Sequence, residues 1–266
     1  MSMRLPYVNA RVNVNVNRLR IVLVSLVVAP LVALALSTGA QAAEAGYRLD
    51  PAPIDPNDLP SLQAGARTFV NYCLNCHSAH FMRYNRLQHI GLTDQQIKDN
   101  LLFTGVKVGE TMKVAMRTAD AKAWFGVAPP DLSVIARSRG ADWLYTYLRT
   151  FYRDPNTASG WNNAVLPNVA MPHVLWTLQG EQGLDMVTTD DDGHETTEYQ
   201  WRTIRAGTQS KVDYDRTARD LVNFLVYVGE PAAEARKRIG IVVLFVLGIL
   251  FVFAYWMKRE FWKDVH

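Results

Sequence analysis

Residues 72–80 read YCLNCHSAH and contain both cysteines of this 266-residue chain, Cys73 and Cys76, with His77 directly after the second one. A Cys-x-x-Cys pair in a protein forms a disulfide, a redox-active dithiol, half of a zinc site or an attachment point for a haem. A structural zinc site needs four ligands, and the sequence has no second cysteine pair to supply them. A thioredoxin-like dithiol follows a β-strand, whereas residues 61–72 are typical of a helix, with Ser61 as its expected N-cap.

The histidine that follows the second cysteine favours the haem. Two thiols one helical turn apart can each form a thioether with one vinyl group of the same porphyrin. The adjacent imidazole is then placed to reach the iron. We therefore predict one haem c, attached through Cys73 and Cys76, with His77 as the first axial ligand of the iron.

The second axial ligand has to come from a part of the chain that can reach the other face of the haem. Met82 and His80 are too close in sequence to the attachment motif. Met171 lies in residues 166–173, LPNVAMPH, where two prolines disfavour a helix and favour an extended loop. Met171 is therefore the predicted ligand, and histidine with methionine raises the reduction potential and suits electron transfer. The alternatives that stay open are His173, Met112 and Met116.

Two apolar runs flank the part of the chain that carries the motif. Residues 21–36 follow several arginines and precede Ala40-Gln41-Ala42, so we expect residues 1–42 to be a secretory signal peptide; an uncleaved anchor is the alternative. Residues 239–257 carry no charge and, as a helix, would rise about 28 Å, close to the thickness of a bilayer's hydrocarbon core. We expect a transmembrane anchor over residues 236–258, rather than a buried core helix, and a cytoplasmic tail over residues 259–266.

The signal peptide also predicts the orientation of the chain. Residues 43–235 are expected to form an exported haem domain, on the periplasmic side of the inner (cytoplasmic) membrane if the source is bacterial. The C-terminus then stays in the cytoplasm.

The expected exported domain is acidic, although the whole chain has a net charge of +3. Residues 43–235 contain 18 lysines and arginines against 23 aspartates and glutamates, a net charge of −5. This balance favours a basic protein partner, and no nucleic-acid partner is expected. Residues 188–199, TTDDDGHETTEY, include five acidic side chains that are candidates for steering such a partner. The alternative is a solvated loop with a turn at Asp192-Gly193.

The rest of the pattern is mainly helical. Thr93 and Gln96 predict a capping box at the start of a helix that runs to residue 102. A second helix is expected from an N-cap at Asp142 to residue 153. A further helix is expected to begin at Asp215 and to break at residues 229–231 before the anchor. The second helix has one broad apolar face, formed by Trp143, Leu144, Tyr147, Leu148 and Phe151.

Four stretches, in this order, closely resemble the cytochrome c1 family. They are CLNCH, APPDLSVIARSR (residues 128–139), AMPH around Met171, and ARDLVNFLVYVGEPAAEARKRIG (residues 218–240), which leads into the C-terminal anchor. The resemblance covers the chain from about residue 47 to its end, and its second and fourth stretches are more specific than the haem motif. It implies a mainly α-helical, class I cytochrome c-like haem domain with insertions, plus one C-terminal transmembrane helix.

The resemblance also implies roles for single residues beyond the thioether cysteines and the two iron ligands. Pro130 resembles a proline that packs on the haem. Arg139, with Arg137 nearby, resembles an arginine that pairs with a haem propionate. Two departures concern the propionate side and partner docking: relatives often have a tyrosine where this chain has Trp143, and the acidic loop over residues 185–198 is longer here.

The function that the resemblance implies is electron transfer in the cytochrome bc1 complex. The haem would accept an electron from the Rieske iron-sulfur protein and pass it to a basic c-type cytochrome, with cytochrome b as the other expected partner in the membrane. The chain would be the one-electron carrier of a quinol:cytochrome c reductase and would not itself bind quinol. The alternatives are an anchored c-type cytochrome that feeds another oxidase or reductase, a thiol-disulfide oxidoreductase and a purely structural membrane protein.

Overall fold

A computed structural model describes residues 47–114, 116–191 and 194–263. The expected signal peptide, residues 1–42, lies outside this part of the chain. About half of the described residues are helical, so the prediction of a mainly α fold is confirmed. The α-helices are α1 (Leu59–Thr68), α2 (Asp94–Asn100), α3 (Thr118–Phe125), α4 (Ile135–Arg139), α5 (Ala141–Arg149), α6 (Trp176–Gln179), α7 (Lys211–Gly229) and α8 (Ala233–Phe261). A π-helical turn, Phe69–Cys73, continues α1, and a 3-10 helix spans Tyr84–Ile90.

Within the described residues, the strands form three small antiparallel sheets of two strands each. The pairs are β1 (Ala79–Arg83) with β2 (Thr111–Met112), β3 (Phe151–Arg153) with β4 (Trp161–Asn163), and β5 (Gly180–Asp191) with β6 (His194–Ala206). The last pair is a long hairpin, so the prediction of a loop over residues 185–198 was wrong. Threonine, valine and aromatic residues favour paired strands there. The rings of Tyr199 and Trp201 also pack against the ring of Tyr47, with distances between ring centres of 4.8 and 6.4 Å.

The turn predicted at Asp192-Gly193 lies outside the described residues. Its two neighbours, Asp191 and His194, are partners in the strand register.

Helices α1 and α7 pack against each other at the centre of the core. A side chain at Gly65 would overlap the backbone of Asp220, and its Cβ would lie 2.6 Å from the Cβ of Phe224. A glycine at this position therefore lets the two helices approach closely. Ser61 Oγ donates a hydrogen bond of 2.7 Å to the buried carboxylate of Asp220, which links the two helices further.

Two of the predicted N-caps were wrong because their side chains make tertiary contacts instead. Helix α1 begins before Ser61, and its N-cap is Asp58, whose carboxylate accepts the backbone N–H of Ser61. Helix α5 has Gly140 at its N-cap, while the Asp142 carboxylate accepts the backbone N–H of Ala52 at 2.7 Å. Residue type indicates where a cap can form, but a neighbouring segment decides which side chain remains free for that role.

The other predicted boundaries agree in part. The capping box of Thr93 and Gln96 is present, and α2 ends two residues before the predicted position. Helix α5 ends at Arg149, and the chain continues as β3 instead of remaining helical to residue 153. Helix α7 begins four residues before Asp215, with Ser210 as its N-cap. The break near Pro231 is present, since α8 begins at Ala233.

Helix α8 has the length and composition of a membrane anchor. Its 29 residues would rise about 43 Å, more than the roughly 30 Å of a hydrocarbon core. None of its residues is buried, and its apolar side chains are exposed along the run from Ile239 to Met257. It is the one helix of the described residues that is long and apolar enough to cross a membrane.

Candidate functional site

The attachment motif forms a tight turn at the end of the first helical segment. The backbone N–H groups of Cys76 and His77 both donate to the carbonyl oxygen of Cys73, at 3.0 and 2.8 Å. Cys73 and Cys76 are not joined in a disulfide. The turn brings the two thiols and the imidazole to the wall of one cavity.

The cavity has a volume of about 340 Å³, which is within the usual range for cofactor and ligand sites. Its wall is mostly apolar. Of the seven predicted site residues, six line it: Cys73, Cys76, His77, Pro130, Arg139 and Met171. Arg137 is not among the described residues of the wall. Its side chain lies against Gly229, where an added Cβ would be 3.3 Å from the Arg137 Cγ.

The imidazole of His77 is held in one orientation by a backbone carbonyl. Its Nδ1 lies 2.7 Å from the carbonyl oxygen of Pro130, and only a protonated Nδ1 can make this hydrogen bond. The lone pair of Nε2 is therefore left for a metal. Burial lowers the pKa of His77, although the Pro130 hydrogen bond and the charge of Asp131 oppose that shift. The neutral ring that results is the form that binds metals.

The segment that carries Pro130 is fastened to the residues that follow the motif. The backbone N–H of Leu132 donates to the carbonyl of Ser78 at 2.8 Å, and the N–H of Phe81 donates to the hydroxyl of Ser133 at 3.0 Å. The sequence resemblance suggested only that Pro130 packs on the haem. The structure gives its carbonyl a second role, which is to orient the histidine.

Met171 reaches the same cavity from the loop between β4 and α6. This loop contains no helix or strand, as the two prolines predicted. Its path is set by buried asparagines: Asn163 Oδ1 accepts the backbone N–H groups of Val165 and Leu166 at 2.9 and 3.1 Å, and Asn162 Oδ1 accepts that of Asn168 at 2.8 Å.

A hydroxyl group contacts the sulfur of Met171 directly. Tyr147 Oη donates to Met171 Sδ at 3.4 Å. Burial raises the pKa of Tyr147 well above its usual value, so the hydroxyl stays protonated and remains a donor.

The alternatives to Met171 lie elsewhere. His173 is 2% exposed and is not part of the cavity wall. Its ring stacks on Phe151 with 4.8 Å between the ring centres. Met112 is buried in β2, and Met116 lines a second cavity of about 320 Å³ beside the first. The geometry therefore favours Met171 among the described methionines and histidines.

Helix α5 contributes to the site through the apolar face that the sequence predicted, although none of its residues was named as a site residue. Trp143 and Tyr147 both line the cavity, and their stacked rings have centres 4.8 Å apart. The guanidinium carbon of Arg139 lies 5.2 Å from the centre of the Trp143 ring. The aromatic face of the predicted helix was the available signal, because in a domain with one large cofactor the core and the cofactor pocket share residues.

The thiols are poorly suited to disulfide exchange. Burial raises the pKa of Cys73 to about 12, with a smaller contribution from Cys76, and burial also raises the pKa of Cys76. Reactive dithiols need lowered pKa values, since the thiolate is the nucleophile. This environment disfavours the thiol-disulfide oxidoreductase that the motif alone left open.

The residues of the cavity fit a covalently bound haem. Two thiols, a neutral imidazole with a free Nε2 and a thioether face one apolar space, which is the donor set of a c-type haem with histidine and methionine ligands. The wall also contains a buried polar atom, Trp143 Nε1, that has no hydrogen-bond partner among the described residues.

Comparisons with known proteins show which family the chain belongs to. The model of the family described as "Cytochrome C1 family" matches residues 51–265. The chain is 46% identical over 230 residues to cytochrome c1 of Allochromatium vinosum, covering 86% of this chain and 94% of that protein. It is 48% identical over 248 residues to a Nitrosomonas europaea protein named "Ammonia monooxygenase gamma subunit", covering 93% of this chain and 99% of that protein. It is 27% identical over 242 residues to cytochrome c1 of Rhodospirillum rubrum, covering 78% and 83% of the two chains. This chain belongs to the cytochrome c1 family.

Proposed function

We propose that this chain binds one haem c covalently, takes electrons from a Rieske iron-sulfur protein and passes them to a basic c-type cytochrome. The coarser function follows from the family: the chain is the electron-transfer haem subunit of the bc1 complex, an oxidoreductase in the membrane. The convergence of Cys73, Cys76, His77 and Met171 on one apolar cavity supports the finer proposal.

The chain's own residues hold and tune the cofactor. When bound, the haem supplies an iron that changes its charge by one electron. Cys73 and Cys76 would hold the porphyrin through thioethers. His77, oriented by the Pro130 carbonyl, and Met171, oriented by the asparagine-held loop, would bind the iron. Arg139 would meet a haem carboxylate, whereas Arg137 lies at Gly229, so of the two we assign the haem contact to Arg139.

The walls of the cavity contribute by excluding water. Leucine, valine and proline side chains make up most of the wall, and a low-polarity environment disfavours the more highly charged state of the iron. With both iron ligands supplied by the chain and an apolar wall around it, a bound haem would suit electron exchange and would not bind a further ligand.

We infer that quinol binds elsewhere in the complex. The second cavity is lined by charged and polar groups, among them His80, Lys113, Arg117 and Asp131. Such a wall would bind an apolar quinone tail poorly.

The orientation in the membrane is also part of the proposal. An exported haem domain with the C-terminus in the cytoplasm is supported by the signal-peptide pattern of residues 1–42 and by α8 as the anchor. Protease added to spheroplasts, in which the outer membrane is open and the inner membrane is intact, should cut the haem domain and spare the tail. Cleavage of the tail under the same conditions would reverse the orientation.

Substitution of Met171 tests the ligand set. In Met171→Leu the reduction potential should fall sharply and cytochrome c reduction with quinol as donor should stop, while the porphyrin stays attached, because the thioether stabilises ferrous iron. An optical redox titration of the purified complex measures the potential and shows whether the haem is still attached. The rate of cytochrome c reduction with quinol as donor is measured on the same complex. Met112→Leu, a change in the core away from the cavity, is the matched control and should keep the parent potential. A normal potential in Met171→Leu would assign the ligand to another residue, with His173 as the first to examine.

The acidic hairpin of β5 and β6 is the proposed steering surface for the basic acceptor. The register pairs Asp190 with Glu195 and Asp191 with His194, and Asp185 and Glu198 are exposed along the strands. Replacing the five acids of residues 190–198 by their amides should lower the association rate and flatten its dependence on salt. Stopped-flow mixing with a basic cytochrome c over a range of salt concentrations measures this. If the salt dependence matched that of the parent, docking would have to involve another surface.

A second function deserves a direct test because of one relative. The Nitrosomonas protein carries the name of a monooxygenase subunit, and the main alternative from the sequence was an anchored cytochrome that feeds another oxidase or reductase. Purification through a tag on this chain separates the two functions. Cytochrome b and a Rieske protein should accompany the chain, and their replacement by the subunits of another oxidoreductase would support the alternative.

A further inference from the structure

A carboxylate lies one residue beyond the carbonyl that orients His77. Asp131 follows Pro130 directly and is the one acidic residue of the stretch APPDLSVIARSR, residues 128–139. Its side chain is 36% exposed and lines the second, polar cavity beside the first one. A partly shielded acidic group is therefore placed next to the hydrogen-bond partner of the proposed iron ligand.

Both oxygens of this carboxylate bind N–H groups. Oδ1 accepts the backbone N–H of Ser133 at 2.8 Å, and Oδ2 accepts the backbone N–H of His80 at 2.9 Å. Oδ2 also lies 2.8 Å from Nδ1 of the His80 ring. The carboxylate thus joins the residue after Pro130 to the residue three positions after His77.

This connection restricts the position of the Pro130 carbonyl. The hydrogen bond from the Leu132 N–H to the Ser78 carbonyl joins the same two segments at 2.8 Å, and Asp131 adds a second connection one residue closer to Pro130. The carbonyl oxygen lies 2.7 Å from Nδ1 of His77. Groups that hydrogen-bond a ligating histidine fix the orientation of its ring and raise its basicity as a ligand. A residue that holds such an acceptor in place therefore acts on the ligand itself.

The carboxylate of Asp131 is ionised at neutral pH. Burial acts to raise its pKa, but the hydrogen bonds from Ser133 and His80 outweigh burial and hold the pKa below its ordinary value. The charge also reaches the ring of His77, since it acts to raise the pKa of that imidazole. A negative charge that acts on the ring also favours positive charge on a metal bound to it.

We propose that Asp131 is a positioning residue for His77 and that its charge stabilises the oxidised iron. It acts by fastening the Pro130 carbonyl against the ring. The inference rests on the proposed function, since it concerns the ligand of the proposed haem. The chain would then combine two opposite effects on the reduction potential, which Met171 raises and Asp131 lowers.

Three variants separate the charge from the fastening. Asp131→Asn removes the charge but keeps the size of the side chain and one acceptor oxygen. Asp131→Glu keeps the charge, but the longer side chain cannot keep both backbone hydrogen bonds in the same geometry. Asp154→Asn is the matched control. Asp154 also binds through both oxygens, to the N–H of Asn156 at 3.0 Å and to a side-chain N–H of Asn162 at 2.9 Å, but it lines neither cavity.

The first readout is the reduction potential of the purified complex, measured by optical redox titration. In Asp131→Asn the equilibrium should shift about threefold toward the reduced state, which is about 28 mV at 59 mV per tenfold change. Asp131→Glu and Asp154→Asn should stay close to the parent. A site that was merely loosened would lose part of its methionine ligation and show a lower potential, so an increase is specific to the lost charge. An unchanged or lower potential in Asp131→Asn, or an equal increase in Asp154→Asn, would overturn the proposal.

Amide hydrogen exchange, followed by mass spectrometry of the purified complex, tests the fastening even if Asp131→Asn fails to mature. In the parent the backbone N–H groups of His80 and Ser133 should be protected. In Asp131→Glu they should exchange about tenfold faster, because a lost hydrogen bond weakens local protection. Rapid exchange in the parent, or equal exchange in parent and Asp131→Glu, would overturn the positioning role. Failure of the proposed function looks different, because the parent itself would then lack attached haem or the spectrum of histidine and methionine ligation.

Discussion

The hydroxyl of Tyr147 provides a sharp test of how the chain tunes its iron site. Tyr147→Phe removes a donor that contacts the Met171 sulfur at 3.4 Å. The ring contacts with Trp143 and Phe151, at 4.8 and 5.0 Å, should remain, so the wall keeps its shape. We expect the reduction potential to fall, because a donor on the thioether draws electron density away from the iron and so favours the reduced state.

The magnitude follows from the strength of the hydrogen bond. A typical net hydrogen bond contributes about 0.5–1.5 kcal/mol, and a thioether sulfur is a weak acceptor. The potential depends only on how much the free energy of this hydrogen bond differs between the oxidised and the reduced state. We take this difference as about 0.5–1 kcal/mol. Since 1.36 kcal/mol and 59 mV both correspond to a tenfold change for one electron, the expected drop is about 20–40 mV.

The assay is an optical redox titration of the purified complex at constant pH. Tyr145→Phe is the control, since Tyr145 is a buried tyrosine of the same helix that contacts Arg149 and does not line the cavity. The reasoning would be refuted by an unchanged or raised potential in Tyr147→Phe, or by an equal drop in the control.

Three further predictions concern stability and are measured by guanidinium unfolding of the purified chain in detergent. Asn163→Ala should lower the free energy of unfolding by about 2–4 kcal/mol, because it leaves the carbonyl of residue 147 and the N–H groups of residues 165 and 166 without their buried partner. A decrease of less than about 0.5 kcal/mol would contradict this prediction. Gly65→Ala should lower the free energy of unfolding by about 1–3 kcal/mol, because the added methyl group forces α1 and α7 apart. Gly109→Ala is the control and should lower it far less, because nothing lies within 4 Å of its added Cβ. Equal effects of the two substitutions would contradict the packing argument. Burial lowers the pKa of His173 to about 4 from an ordinary 6.5, so the unfolded chain binds the proton first and stability should decline as the pH falls from about 6.5 to 4. His173→Phe should remove that part of the decline, and an unchanged pH profile would show that other groups cause it.

The strongest inferences from the sequence concerned features that are local in the chain. The Cys-x-x-Cys-His order predicts its own geometry, because two thiols and an imidazole within five residues share one turn. The exposed apolar helix α8 follows from length and composition, which do not depend on packing in the core. Met171 required a longer argument, by elimination and from the two prolines, and the cavity wall includes the residue that this argument selected.

The wrong predictions depended on contacts between distant segments. Ser61 and Asp142 have the residue types of N-caps, but Asp220 and the backbone of Ala52 engage them instead. The acidic segment over residues 185–198 was assigned to a loop because its charges dominate its composition. Pairing with the following strand, and the packing of Tyr199 on Tyr47, makes it a hairpin.

The sequence by itself predicted the cofactor class, the two cysteines proposed to hold it, the proposed first ligand and an apolar anchor helix, because each is encoded by neighbouring residues. Tertiary structure alone decided which carbonyl orients His77, which hydroxyl touches Met171 and which of the two arginines faces the cavity. These contacts join segments between about 20 and 90 residues apart. Hydrogen bonds of this kind depend on positions within a few tenths of an ångström, and only the packed core fixes such positions.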